Sequence, residues 1–438
     1  MPATTTIDIP GTTYPLERFT LDNGLRVVLA PDRSAPVIAV AVLYDVGIRS
    51  EPPGRTGFAH LFEHLMFQGS ANLEKLAHFR IVQGSGGTFN GSTHLDYTDY
   101  FETLPAGALE RALFLEADRM RGPVLTEANL RNQVDVVKEE IRANVLNRPY
   151  GGFPWLKLPP VMFDTFPNAH DGYGSFEDLE AATVEEATEF FQTYYAAGNA
   201  VLAVAGDLDP DRARTMIERH FGDVPARPAP ARADFDEPDL SAERRDAYTD
   251  RLAPVPAVAA AWRVPDPVAE RAAYLPYTVL AEVLTDGDAS RLVERLVQRE
   301  RTVTSVGGYI GFMGEPYGVR HPTALVLQAH LRPGGAVAPV LDTMDEELDR
   351  LATDGLPAEE LARTQARMAA YLLRGTDAAI SRNLIIAVLE LLHGDPGLVN
   401  TLPHLLGEVT VDQVVAAAAA MRPQRRASVE VAPGGGSR

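Results

Sequence analysis

The chain of 438 residues contains no cysteine. Disulfides, thiolate metal sites and cysteine nucleophiles are excluded together. Any metal ion held by this chain must be held by His, Asp or Glu. Basic residues are in deficit: 40 Lys and Arg stand against 60 Asp and Glu, a formal net charge of −20. So negative a surface is a poor match for nucleic acid or an anionic membrane, and neither is expected as a partner. Long apolar runs are missing too. No uncharged stretch approaches the roughly 20 residues that span a bilayer. The opening MPATTTIDIPGTTYPLERF lacks the basic-then-apolar pattern of a signal peptide, so a soluble, cytoplasmic protein is expected. What is present is a hydrophobic fraction of 45%, enough for a sizeable core.

The order of patterns predicts an α+β fold. Residues 17–32 read as two short strands around Asp22-Asn23-Gly24, a tight-turn signal. VIAVAVLYDVG (37–47) reads as a buried strand, 57–68 as a helix, and 86–105 again as β. Helical periodicity follows at 107–121 and 126–147, with Thr126 as the cap of the second helix. Residues 176–195 read as a helix, 199–208 as a strand and 209–224 as a helix. PARPAPARADFDEPDL (225–240) has no periodicity and reads as a linker. The second half then repeats the pattern loosely. Strands are predicted at 257–265, 304–312, 323–331 and 425–433. Helices are predicted at 269–299, 335–354, 357–374, 378–393 and 410–421. The expected organisation is two homologous domains, 1–224 and 241–438, each a mainly antiparallel sheet packed with helices. The closing GGGSR (434–438) reads as a flexible end.

GFAHLFEHLMFQGS (57–70) carries His60, Glu63 and His64 in an otherwise apolar stretch. On a helix, positions 60 and 64 project from one face. Two ring nitrogens so placed can both lie about 2.0–2.1 Å from one zinc ion. Glu63 borders that face and can reach a water on the ion without being a ligand. A carboxylate so placed can take the proton as the water attacks a peptide carbonyl. The order H-x-x-E-H is the inverse of the common zinc-protease helix. A catalytic zinc takes three protein ligands. NQVDVVKEEIRANVLNRPYG (132–151) offers Asp135, Glu139 and Glu140. Val134, Val137, Ile141 and Val145 mark its buried stripe; Glu140 borders that stripe, while Glu139 lies nearer the solvent face.

His60 to His64, followed 76 positions later by Glu140, resembles the signature of the pitrilysin/insulinase zinc metallopeptidases. The closest likeness is to short bacterial members similar to mitochondrial processing peptidase. HLMFQGS, GGTFNGSTHLDYTDYF and NQVDVVKEEI…NRPYG look like the same family, as does the overall length in two halves. The resemblance implies His60, His64 and Glu140 as ligands of one Zn2+ and Glu63 as the general base. Many relatives carry a second-shell Glu seven positions before the ligand Glu; here that position is Gln133, which can orient a ligand but adds no charge. GGTFNGST (86–93) resembles the strand on which relatives lay an extended substrate, with Asn90 and Gly91 matching best.

In this family the second-half domain supplies an Arg and a Tyr that hold the substrate carbonyl. The matching stretch here is SRLVERLVQRERTVTSVGGY (290–309), anchored by Ser290-Arg291-Leu292 and Ser305-Val306. The Arg position falls on Val297 and the Tyr position on Thr304. Val297 has no donor, and Thr304 is too short to replace a phenol. The expected protein is therefore the zinc-bearing subunit of an endopeptidase. It would act on short or extended peptides in an enclosed chamber, as a heterodimer with a paralogous subunit that brings the Arg/Tyr pair. The alternative is a non-catalytic scaffold subunit of the same family. An incidental polar helix would predict no stoichiometric metal.

Overall fold

The computed structural model describes residues 13–434. Of the closing GGGSR, all but Gly434 lies outside the described residues. Two sheets form, one from each half of the chain. The first contains β1 (Glu17–Thr20), β2 (Arg26–Pro31), β3 (Val37–Tyr44), β4 (Thr88–Thr93), β5 (Thr98–Pro105) and β6 (Ala200–Gly206), in the order β1-β2-β6-β3-β5-β4. The second contains β7 (Arg244–Asp250), β8 (Ala257–Val264), β9 (Val303–Ile310), β10 (Thr323–Leu331) and β11 (Arg426–Pro433), in the order β7-β11-β8-β10-β9. Each sheet is antiparallel except at one pair, β2 with β6 and β7 with β11. In both, the last strand in sequence inserts beside that parallel neighbour. The internal duplication is thus visible in strand order, with β1 as the extra strand of the first half.

Four helices of the first half frame the region of interest: α1 (Phe58–Leu65), α2 (Ala77–Gly84), α3 (Leu109–Arg121) and α4 (Glu127–Ile141). The stripe read from α4 is buried at Val134, Val137 and Ile141. Thr126 caps it by accepting from the Asn129 amide. The inner faces of the sheets pack against their own helices. The outer faces are covered reciprocally. Ala387, Val388, Leu391 and Leu392, from the second half, pack on Ala41, Leu43, Val201 and Ala203 of the first sheet. Phe153, Leu158, Met162 and Phe163, from the first half, pack on Ala259, Val326 and Val429 of the second.

Some boundaries differ from those predicted. The helix expected at 176–195 is two, Phe176–Ala181 and Val184–Tyr194, because Thr183 and Glu186 form a capping box that starts a new helix. The helix expected at 126–147 ends at Ile141 and widens into a π turn over Arg142–Leu146. The stretch 269–299 is a helix over Arg271–Thr285 and a π turn over Val293–Arg299. The helix Leu398–Gly407 was not expected; Pro403 inside it breaks the sequence signal. Among the described residues, no helix is long and apolar enough to cross a membrane.

Candidate metal centre

Helix α1 is short, and its start is fixed from outside. Gly57, at φ 80°, precedes it in a left-handed conformation that favours glycine. A Cβ there would meet the Tyr173 carbonyl oxygen at 2.3 Å. The buried carboxylate of Glu51 accepts from the amides of Gly57 (2.9 Å) and Ala59 (2.7 Å), supplying the anion that a helix N-terminus favours. His170 holds Glu51 in turn: its Nε2 faces Glu51 Oε2 at 2.9 Å and its Nδ1 the Phe166 carbonyl at 2.8 Å.

With the helix so placed, Phe58, Leu61, Phe62 and Leu65 enter the core, while His60 and His64 face the other way. Glu140 of α4 meets them. His60 Nε2 lies 3.7 Å and His64 Nε2 3.5 Å from Glu140 Oε2. One donor atom from each of the three falls within 4.8 Å of the others. Two imidazoles and a carboxylate converging on one point form a donor set suited to zinc. Asp135 and Glu139 do not join them: neither lines the cavity at this point, and Glu139 pairs with Arg142. Gln133 is buried against the His64 ring and favours its charged form.

The electrostatics differ at each group. Burial, and then the neighbouring His64, push His60 down to about 4, so its ring is neutral. Burial also presses on His64, but the hydrogen bond to Glu140 and the charge of Glu63 outweigh it and raise its pKa. The hydrogen bond from His64 lowers that of Glu140. Glu63 is 8% exposed, and burial raises its carboxyl above the usual range. Thr93 Oγ1 donates to Glu63 Oε2 at 2.7 Å, which fixes the carboxylate.

All of these open on one cavity of about 620 Å³, lined also by Asn90, Gly91 and Gln133. Strand β4 forms one wall. Among the described residues it pairs only with β5, which leaves its other edge open. Among the described residues of the second half, only Met313 lines the cavity. Val297 packs against the second core, and Thr304 Oγ1 is spent on the His330 carbonyl at 3.0 Å. Arg299 pairs with Glu294 on the surface. Three residues that support the site escaped the sequence reading. Tyr173 donates from its hydroxyl to Glu140 Oε1 at 3.3 Å and stacks edge-on to His60, with ring centres 5.3 Å apart. Trp155 packs on Tyr173, and His170 acts through Glu51. All three lie between α4 and the next long helix, where the only signal was aromatic and glycine residues without periodicity.

Comparison with known proteins points to one family. The pattern described as "Insulinase (Peptidase family M16)" matches residues 26–149, and that of the "Peptidase M16 inactive domain" matches residues 181–368. The zinc protease PqqE of Helicobacter pylori is 34% identical over 47% of this chain and 46% of its own. Subunit 1 of the human mitochondrial cytochrome b-c1 complex is 28% identical over 47% of this chain and 42% of its own. These matches thus span about half the length of those curated relatives. The crystal structure of a protease from Helicobacter pylori superposes with a TM-score of 0.89 over 96% of this chain and 100% of that one, at 23% identity, a likeness of fold. A two-sheet α+β fold, an H-x-x-E-H helix facing a remote Glu, and two matching patterns of one family over most of the sequence place this chain in the M16 insulinase/pitrilysin family of zinc metallopeptidases.

Proposed function

We propose that this chain is the zinc-binding subunit of an endopeptidase that cleaves short or extended peptides. The convergence of His60, His64 and Glu140 beside the buried Glu63, at a cavity walled by an open strand edge, carries the proposal. His60, His64 and Glu140 would hold one zinc ion. Zinc so held would supply Lewis acidity for the scissile carbonyl and for the attacking water. Glu63 accepts the proton of that water and passes it to the departing amide nitrogen; its raised pKa brings it nearer neutral pH, where one group can do both. Thr93 keeps the carboxylate oriented. Gln133 and Tyr173 orient His64 and Glu140. The open edge of β4 takes the peptide as an added strand, with Asn90 and Gly91 beside the cleaved bond.

The proposed division of the chain is a zinc-binding domain over 1–224, a linker at 225–240 and a homologous domain over 241–438. Val297 and Thr304 cannot hold a substrate carbonyl, and neither reaches the cavity. A paralogous partner subunit would bring the missing Arg and Tyr and close the chamber over the substrate. The test compares peptide cleavage by this chain alone and together with a paralogue that carries the Arg/Tyr pair. Turnover only in the mixture is expected; full turnover by the isolated chain overturns the shared site.

A second reading, a non-catalytic subunit, draws on the match of the second half to an inactive-domain pattern and on the similarity to a cytochrome b-c1 complex subunit. It predicts that Glu63→Gln changes nothing in the assembled complex.

A further inference from the structure

Behind the cavity wall lies a second cluster, unconnected with the motif. His78 of α2, Glu102 of β5 and Glu116 of α3 bring one donor atom each within 4.8 Å of the others. His78 is 9%, Glu102 0% and Glu116 1% exposed. Arg119 answers only part of this charge: it pairs with one oxygen of Glu116 and lies over the rings of Tyr100 and Phe67. Both oxygens of Glu102, Oε2 of Glu116 and Nε2 of His78 have no hydrogen-bond partner. Asp118, buried on the same helix, shows the contrast. It accepts from Ser70 Oγ at 2.6 Å and from the amide and side chain of Asn72.

Buried polar atoms left without a hydrogen-bond partner are costly, and one coordinated ion would satisfy donor atoms of His78, Glu102 and Glu116 together. A direct hydrogen bond between His78 and Glu102 is not formed: their nearest atoms are 3.2 Å apart but not aligned for one. That separation is close to the edge of a tetrahedron around a small cation, about 3.3 Å when each ligand lies about 2.0–2.1 Å from the ion. Burial and then Arg119 push His78 down to about 4, so its ring is the neutral form that binds metal. Burial pushes Glu102 up to about 8 against the opposing charge of Arg119, so at neutral pH it carries a proton that a bound metal ion would displace.

We infer that His78, Glu102 and Glu116 form a second, buried site for one divalent cation of the zinc type. The site is structural, since it is closed to substrate. It fastens α2 to the sheet just before the chain enters β4. The His78 ring also packs edge-on against Phe89 and Phe67, at 5.4 and 6.0 Å between centres, and both line the cavity. The second ion would therefore stiffen the wall on which substrate is laid.

The test removes the first site and counts metal. The full chain carrying His60→Ala and His64→Ala is incubated with zinc chloride, passed over a desalting column and analysed for metal by mass spectrometry. One zinc per chain is expected, falling to none when Glu102→Gln is added. No zinc in the double variant, with its circular dichroism unchanged, overturns the inference and leaves the proton on Glu102. A zinc ion that persists after Glu102→Gln also overturns it. Neither outcome bears on the first site, which the double variant lacks.

Discussion

Glu63 and Gly91 meet face to face across the cavity. A Cβ at Gly91 would lie 3.2 Å from Glu63 Oε1, from the Asp99 carbonyl and from Phe67, tighter than ordinary contact. Gly91→Ala is therefore expected to displace the Glu63 carboxylate without touching a metal donor. Peptide cleavage should fall by about 10-fold or more, in line with a small misplacement of a catalytic group, while zinc affinity stays unchanged. Steady-state kinetics beside a chelator competition would check this. At this scale the motif was legible, because four of its residues sit within five positions of a helix or carry a register against a buried stripe. Tyr173 and His170 were not. Their roles depend on where the stretch between Leu146 and Phe176, broken only by two four-residue helices, returns to α1 and α4, and no periodic pattern encodes that return.

The zinc-motif helix α1 has only eight residues, too few to hold itself. Its start depends on Glu51, and Glu51 on His170. Removing the charge with Glu51→Gln is expected to cost about 1–3 kcal/mol, from charge-assisted bonds to two helix amides. His170 gives this a pH signature. Burial opposes its charge, but Glu51 and the Phe166 carbonyl win and raise its pKa in the fold. Its stabilising contribution is thus full below the unfolded value of about 6.5 and lost as pH rises through the folded value. The melting temperature of wild type should exceed that of His170→Gln most at pH 6, and the gap should narrow by pH 9. A gap that widens with pH would contradict the sign. Element types were read well wherever β-branched runs or amphipathic stripes were long, as at β3 and α4. They were misread where capping, at Thr183, or a proline, at Pro403, broke a continuous pattern.

Across the molecule the two halves are not merely tethered. Each covers the outer face of the other's sheet, and a buried polar link joins them. Arg49 of the first half pairs with Asp96 at 3.3 Å and donates to the carbonyls of Arg320 and Pro322 in the second. The Arg320 amide returns to Asp96 at 2.7 Å, and its guanidinium reaches Asp45. Asp96→Ala would leave Arg49 charged and unpaired in the interior. A loss of about 3–5 kcal/mol is expected in denaturant unfolding, together with looser docking of the halves. None of this link was legible in sequence, since the partners that join the two halves are more than 200 positions apart. The resemblance read in the sequence puts the expected Arg and Tyr at Val297 and Thr304. Those positions lie off the cavity in the fold, so the proposed reaction waits on another chain at the level of whole molecules.

The most direct test is hydrolysis of an internally quenched peptide by the complex of this chain with a paralogue carrying the Arg/Tyr pair, comparing wild type with Glu63→Gln at matched zinc content. Cleavage by wild type and a loss of about 10²–10⁴-fold in the variant, with zinc retained, is the expected result. Equal rates for the two would remove Glu63 from the chemistry and contradict the assignment of this cavity as a peptidase site.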